Sequence, residues 1–269
     1  LTMSFWSLIA VPALLAALGL SARFTFWRPD MDGVPILMYH YLTDDLSGTR
    51  HKQLRVSPAA FARQIAFLAG RGYRTVGLED FYQYAANGRP LPEKPVILTF
   101  DDGGRESVFR AREILARHGF TATVLVVTDQ LGGTNAWDRP KKEPEIDLVN
   151  FEDIRELIDS GWEVGSHTKT HADLTALTDG ELTEELAGSK AALESRLDRE
   201  ITAVAYPYGL ADQRVRQAAR AAGYRLGLTT RWGKNSPNSD LFDLKRISIK
   251  RRDIGLDLSL KLKKGRSTV

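Results

Sequence analysis

Beyond residue 34 the chain alternates short apolar runs with longer amphipathic stretches. The runs "PILMY" (Pro35–Tyr39), "YRTVG" (Tyr73–Gly77), "PVILTF" (Pro95–Phe100), "TATVLVV" (Thr121–Val127), "WEVGS" (Trp162–Ser166), "ITAVAY" (Ile201–Tyr206) and "YRLGLTT" (Tyr224–Thr230) read as strands. "PVILTF" shows no polar alternation, as expected of a strand covered on both faces. A helix is predicted from Ser57, its cap, with Pro58 in the first turn and Phe61, Ile65 and Leu68 on one face. Further helices are predicted over 106–118, over 151–160 between Asn150 and Gly161, from the Thr178/Glu181 capping box to Leu197, and over 212–222. Residues 129–150 are polar and rich in Gly, Pro and Lys, and read as a long loop of the kind that often carries function. The alternation predicts an α/β fold with a parallel sheet and helices outside it. About seven or eight strands suit a barrel as well as an open sheet. No internal repeat and no second domain are visible.

The first 28 residues stand apart. Residues 1–22 carry no charged side chain, and "FWSLIAVPALLAALGL" (Phe5–Leu20) is nearly all apolar. That is the length of a signal-peptide core or a short membrane span. The chain therefore divides into 1–28, an apolar helix acting as signal peptide or membrane anchor, and 29–269, one globular domain. Arg23 and Arg28 follow the apolar run and no basic residue precedes it, a pattern that by itself favours a cytoplasmic C-terminal part. A hydrophobic share of 43% supports a real core and excludes global disorder. The net charge of +3 does not mark a nucleic-acid binder. Basic residues gather late, in Lys250-Arg251-Arg252 and Lys261 to Arg266, and read as a solvated tail, with a membrane surface or polyanion contact as the alternative. The absence of cysteine excludes disulfides, thiolate metal ligands and a cysteine nucleophile.

In either α/β layout, functional side chains collect at the carboxyl ends of the strands. Asp101 and Asp102 fall there, directly after "VILTF". Two adjacent carboxylates repel, so they need a nearby cation or one must hold a proton. A helix cap accounts for one of them and not both. "GSHTKTH" also follows a strand, and it holds two of the five histidines, His167 and His171. Their spacing of four puts both imidazoles on one side of a turn. Two histidines with one carboxylate make a common catalytic metal set, which Asp102, His167 and His171 supply, leaving Asp101 as a base. "AYPYG" (Ala205–Gly209) ends another strand, and a backbone N–H in such a turn can face a developing oxyanion. His40 closes "MYH"; His51 and His118 read as solvated or structural.

In this order and spacing, "TFDDG", "SHTKTH" and "AYPYG" resemble the signature of the NodB-homology polysaccharide deacetylases, carbohydrate esterase family 4. The resemblance runs from Pro35 to Ile249, and "MYH" with "GGTNAWD" is similar to the branch of exported poly-N-acetylglucosamine deacetylases. It implies a distorted (β/α) barrel of about seven strands and a divalent metal, zinc in type. It implies Asp101 as general base, Asp102, His167 and His171 as metal ligands, and the backbone N–H of Tyr208, after Pro207, at the oxyanion. The implied substrate is a polysaccharide containing GlcNAc, which loses acetate. The implied location is membrane-anchored or secreted, with residues 29–269 as a catalytic domain in the periplasm or outside the cell and residues 1–28 meeting the membrane.

The chain departs from the family pattern twice. No histidine follows His171, where a Leu-x-His motif is usual. The "MYH" branch is similar to a circular permutation, which makes His40 the acid. The arginine expected two residues before Pro207 is Ala205, and Arg246 in "LKRISI" is either its replacement or a rim residue. Trp137 and Trp232 either line a sugar groove or pack. Removal of O-acetyl groups, or an inactive sugar-binding module of an envelope export system, are the competing functions.

Overall fold

The computed structural model describes residues 29–266, so the expectations for residues 1–28 lie outside the described residues. Among the described residues no helix is long and apolar enough to cross a membrane.

The chain forms the expected α/β fold around one curled parallel sheet. Its strands are β1 (Ile36–Tyr39), β4 (Arg74–Thr75), β5 (Pro95–Phe100), β6 (Thr123–Val126), β7 (Glu163–Ser166), β8 (Ala203–Ala205), β9 (Leu226–Leu228) and β10 (Ile247–Ser248). They are ordered β10-β1-β5-β6-β7-β8-β9, with β4 also on β5. The opening strand thus sits beside the last one, with Leu37 opposite Ile247. The outer strands β9 and β10 share no ladder, so the barrel expected from the sequence is a curled half-barrel. Its ends are drawn together by a single parallel bridge, Leu228 to Leu244, and by the Arg246 N–H donating to the Arg231 carbonyl at 2.8 Å. A separate pair, β2 (Tyr41–Leu42) and β3 (Arg55–Val56), follows β1.

Alternation along the strands sends side chains to two cores. Leu37, Leu98 and Val124 face the helices, where they meet Phe61, Ile65 and Leu68 of α1 (Pro58–Gly70) and Val108 and Leu115 of α3 (Arg105–Ala116). Ile36, Ile97, Leu125, Ala203 and Leu226 face inward, plugged by Leu78 and Phe81 of α2 (Leu78–Asn87). Gly165 in β7 allows this close approach, since a Cβ there would lie 2.7 Å from Leu125 Cδ2. The remaining helices are α4 (Phe151–Asp159), α5 (Asp179–Thr183), which continues through a π-helical turn (Glu184–Gly188) into α6 (Ser189–Leu197), α7 (Gln213–Ala221) and α8 (Leu256–Lys264). Ser57, Asn150 and Thr178 cap their helices as the sequence predicts, and Asp212, expected inside its helix, caps it instead, each accepting from a backbone N–H of the first turn.

Two helices, α2 and α8, and three two-residue strands, β2, β3 and β10, were absent from the sequence reading. Helix α2 is polar on its outer face, and β10 has only two residues. Helix α8 corrects the solvated basic tail: it buries Leu258, Lys261 and Leu262. Lys261 Nζ donates to Asp253 Oδ2 at 2.5 Å and to the Ser248 carbonyl at 2.8 Å, so the helix fastens the strand that follows Arg246. Burial lowers the Lys261 pKa, and Asp253 offsets part of that cost.

Candidate metal centre and active site

The carboxyl ends of β1, β5, β7 and β8 converge on one cavity of about 220 Å³. Asp101 and Asp102 enter it from β5, His167 and His171 from the loop after β7, Tyr206 and Tyr208 from the turn after β8, and His40 from β1. Four of the seven described non-glycine residues with positive φ lie at this site: Asp102 (71°), Thr168 (69°), His171 (65°) and Tyr208 (59°). Such conformations cost energy and persist only where surrounding bonds impose them. The bonds are present. Glu185, in the π-helical turn, accepts from the backbone N–H of Lys169 (2.9 Å) and of Thr170 (3.0 Å), and from the Thr170 hydroxyl at 2.5 Å. Ser166 Oγ accepts from the Thr168 N–H, and Thr168 Oγ1 accepts from the His171 N–H. The two histidines therefore converge from a braced loop and not from a helix.

Asp102, His167 and His171 are all buried, with candidate donor atoms within 4.8 Å of one another. Asp102 Oδ1 is 3.6 Å from each histidine Nε2. Tetrahedral bonds of about 2.1 Å to a zinc-like ion place donors roughly 3.4 Å apart, so this set fits a divalent cation. His167 Nδ1 lies 2.8 Å from the Ala205 carbonyl, which as acceptor makes Nδ1 the protonated nitrogen and leaves Nε2 free to ligate. Tyr41, which the sequence reading passed over, donates its hydroxyl to Asp102 Oδ2 at 2.7 Å. Burial pushes the Asp102 carboxyl up to about 6, against the pull of His167 and Tyr41. Burial, with His167 beside it, holds His171 neutral, well below the usual histidine range.

Asp101 sits in a different environment. Arg246 is fully buried and grips it with both ends of the guanidinium, Nη1 to Oδ1 at 2.6 Å and Nη2 to Oδ2 at 2.8 Å. The fork is itself fixed by the Thr229 carbonyl, which accepts from Nε at 2.9 Å, and by Thr99 Oγ1. Burial pushes Asp101 upward, but the Arg246, His167 and His40 charges prevail and bring it to about 2. His40 Nε2 is 4.0 Å from Asp101 Oδ2. Burial lowers the His40 pKa although Asp101 opposes it.

The long polar segment folds over this floor. Asn135 pins it, exchanging bonds with the Ile146 N–H and the Pro144 carbonyl. It delivers Trp137, whose ring stacks on His171 at 4.8 Å. Tyr208 meets the same imidazole edge-on at 4.9 Å, and Lys141 Nζ donates to the Tyr208 hydroxyl. Pro207 is buried and opens the turn that carries Tyr208. His51 belongs to the cavity lining, with Nε2 3.9 Å from Glu143. Trp232 stays outside that lining, 45% exposed, with Arg266 over its ring.

A family model described as polysaccharide deacetylase matches residues 88–227. The chain belongs to the polysaccharide deacetylase family. With its buried Asp-His-His set, it is a metal-dependent polysaccharide deacetylase. The deacetylase fold is similar to that of a polysaccharide deacetylase of Bacillus cereus, with a TM-score of 0.72 and 30% identity over 86% of this chain and 69% of that one. It is also similar to the Streptococcus pyogenes deacetylase PplD, solved in complex with acetate, with a TM-score of 0.75 and 27% identity over 87% of this chain and 99% of that chain. The poly-beta-1,6-N-acetyl-D-glucosamine N-deacetylase of Staphylococcus epidermidis is 26% identical over 217 residues, 76% of this chain and 71% of that protein.

Proposed function

We propose that this deacetylase hydrolyses N-acetyl groups of a GlcNAc-containing polysaccharide, releasing acetate and leaving a free amine. One observation carries the reading: a buried Asp102, His167 and His171 donor set beside an Asp101 carboxylate locked by Arg246, with His40 4.0 Å away. Asp102, His167 and His171 would hold a divalent cation, zinc in type, whose chemistry there would be Lewis-acid polarisation of the acetamide carbonyl and acidification of a water. Asp101, ionised and unable to rotate, takes the proton of that water. The Tyr208 backbone N–H donates to the developing oxyanion. His40 starts neutral, so the proton it hands to the leaving nitrogen is the one collected by Asp101. Arg246 is a positioning residue that fixes the base, in the place where Ala205 supplies no arginine. Trp137 forms an apolar wall against which a pyranose ring lies flat.

The test is acetate release from N-acetylglucosamine oligomers by metal-stripped protein, with and without added Zn²⁺, alongside Asp101→Asn. Release that requires metal and disappears in the variant is expected. Release only from O-acetylated polymer would make the protein an esterase, and failure to bind metal or release acetate would leave a sugar-binding module. The apolar run Phe5–Leu20 supports an exported domain, tethered or freed at residues 1–28, for which fractionation of tagged protein between cytoplasm, membrane and medium is the check.

A further inference from the structure

Arg55 is a buried cation that the chemistry above does not use. It is only 6% exposed, and its Nε is buried without a hydrogen-bond partner among the described residues. No described side chain forms an ion pair with its guanidinium. Parallel pairing of β2 and β3 sets it opposite Tyr41, and its Cζ lies 5.5 Å over the Tyr41 ring. Tyr41 is the residue whose hydroxyl bonds Asp102, so this cation stands one side chain from the metal set.

Its position is a wall between two hollows. Arg55 lines the catalytic cavity together with Thr49 and His51, and it lines an adjoining cleft of about 510 Å³. The carboxylates that feel its charge are engaged elsewhere. Asp45 accepts from the Ser47 N–H and hydroxyl. Glu143 accepts from the Thr49 hydroxyl and the Arg50 N–H. The other arginines of the cleft are paired, Arg105 with Asp153 and Arg110 with Glu106. A guanidinium with a buried, unbonded Nε and only a ring face beside it is costly, and its planar fork suits two oxygens of a carboxylate or phosphate.

We infer that Arg55 is an anion subsite, receiving a carboxylate or phosphate borne by the sugar next to the N-acetylated one. The substrate class is then an acidic N-acetylated polysaccharide, with the reacting sugar over the Asp-His-His set and the acidic neighbour reaching Arg55 along the catalytic cavity that both line. This inference rests on the deacetylase reading of the site.

The test compares length-matched oligosaccharides on the zinc-loaded full chain: neutral N-acetylglucosamine oligomers, oligomers whose alternate sugars carry a lactyl-ether carboxylate, and oligomers carrying a phosphate ester. Wild-type protein is expected to favour an acidic oligomer by about tenfold or more in kcat/KM, mostly through KM. Arg55→Gln brings the acidic-to-neutral ratio close to one, and Arg55→Lys falls between. The carboxylate and phosphate arms identify which acid is recognised. Equal turnover of neutral and acidic oligomers by the wild type overturns the subsite, as does an Arg55→Gln loss that is the same on all three. If no oligomer is deacetylated, the proposed function fails, and calorimetry with the same acidic oligomers decides the subsite separately. Binding lost only in Arg55→Gln sustains it, and binding that is absent or equal in the two proteins overturns it.

Discussion

Replacing Arg246 by Met removes a cation of similar length from a site almost wholly shielded from bulk water, since Arg246 is 0% and Asp101 2% exposed. The loss leaves Asp101 as an uncompensated buried carboxylate, which costs about 3–5 kcal/mol. The pH dependence should also reverse. In the wild type Asp101 titrates at about 2, below its ordinary 3.8. A depressed folded pKa contributes stability that is present above the unfolded pKa and lost as pH falls through the folded one. The contribution here is about 2–3 kcal/mol, lost between roughly pH 4 and 2. In Arg246→Met burial acts with less opposition, so the Asp101 pKa rises and the variant gains stability on acidification from neutrality toward pH 4. Activity should fall by about 10²–10³ in kcat, because the proposed base is neither ionised nor oriented. Arg246→Lys keeps the charge and loses the fork, and should lie between the two. Urea denaturation of chelator-treated protein from pH 3 to 7, with acetate release on the metal-loaded form, measures both effects. A variant within about 1 kcal/mol of wild type with the same pH slope would refute the argument.

Tyr41→Phe removes the donor to Asp102 and should weaken zinc binding about 10–100-fold by chelator competition, with activity recovering at saturating metal. Glu185→Gln loses the charge that braces the histidine loop; a stability loss of about 1–3 kcal/mol in urea denaturation, with weaker zinc binding, is expected, and unchanged zinc affinity would count against the bracing role. Zinc affinity should fall as pH drops from 7 to 5, because Asp102, held at about 6, must shed a proton before it ligates, while neutral His171 competes little; zinc titrations at the two pH values check this. Lys261→Ala leaves Asp253 buried without its cation and should destabilise the protein by about 3 kcal/mol in thermal or urea unfolding.

What could be read from the chain was local. "PVILTF" is visible as a strand because both its faces are covered, one by the helices and one by Phe81, so every position after Pro95 is buried, and its one polar residue, Thr99, is buried too and accepts from Arg246. The Asp101-Asp102 and His167-His171 clusters are visible because each is a short motif at the end of one strand. The parts that hold them are distant in sequence. Arg246, which the departure at Ala205 left as either a replacement arginine or a rim residue, reaches Asp101 across 145 positions, and Glu185 reaches Thr170 through a π-helical turn that no periodicity announces. Arg55 and Tyr41 meet only because two two-residue strands pair. Lys261 looked like part of a solvated tail because charge is a good guide to exposure until a partner such as Asp253 is placed beside it.

Two neighbouring carboxylates can share one strand end because the backbone separates them. Asp101 continues the inward alternation of Ile97 and Thr99, which brings it to Arg246. Asp102, with φ at 71°, turns out of that alternation toward Tyr41 and the two histidines, and Gly103 at 75° lets the chain continue into α3. The two environments then drive the carboxyls in opposite directions, to about 2 and about 6. A carboxyl at 6 costs little to keep protonated before a cation arrives and exchanges that proton for the cation. A carboxyl at 2 is ionised at every working pH, and its orientation is set by Arg246 whether or not metal is bound. The pair is therefore not a doubled acid but two sites set apart by one strained residue, which is why exchanging their roles by mutation, with Asn at either position, should abolish different steps: metal retention at Asp102 and turnover of the loaded enzyme at Asp101.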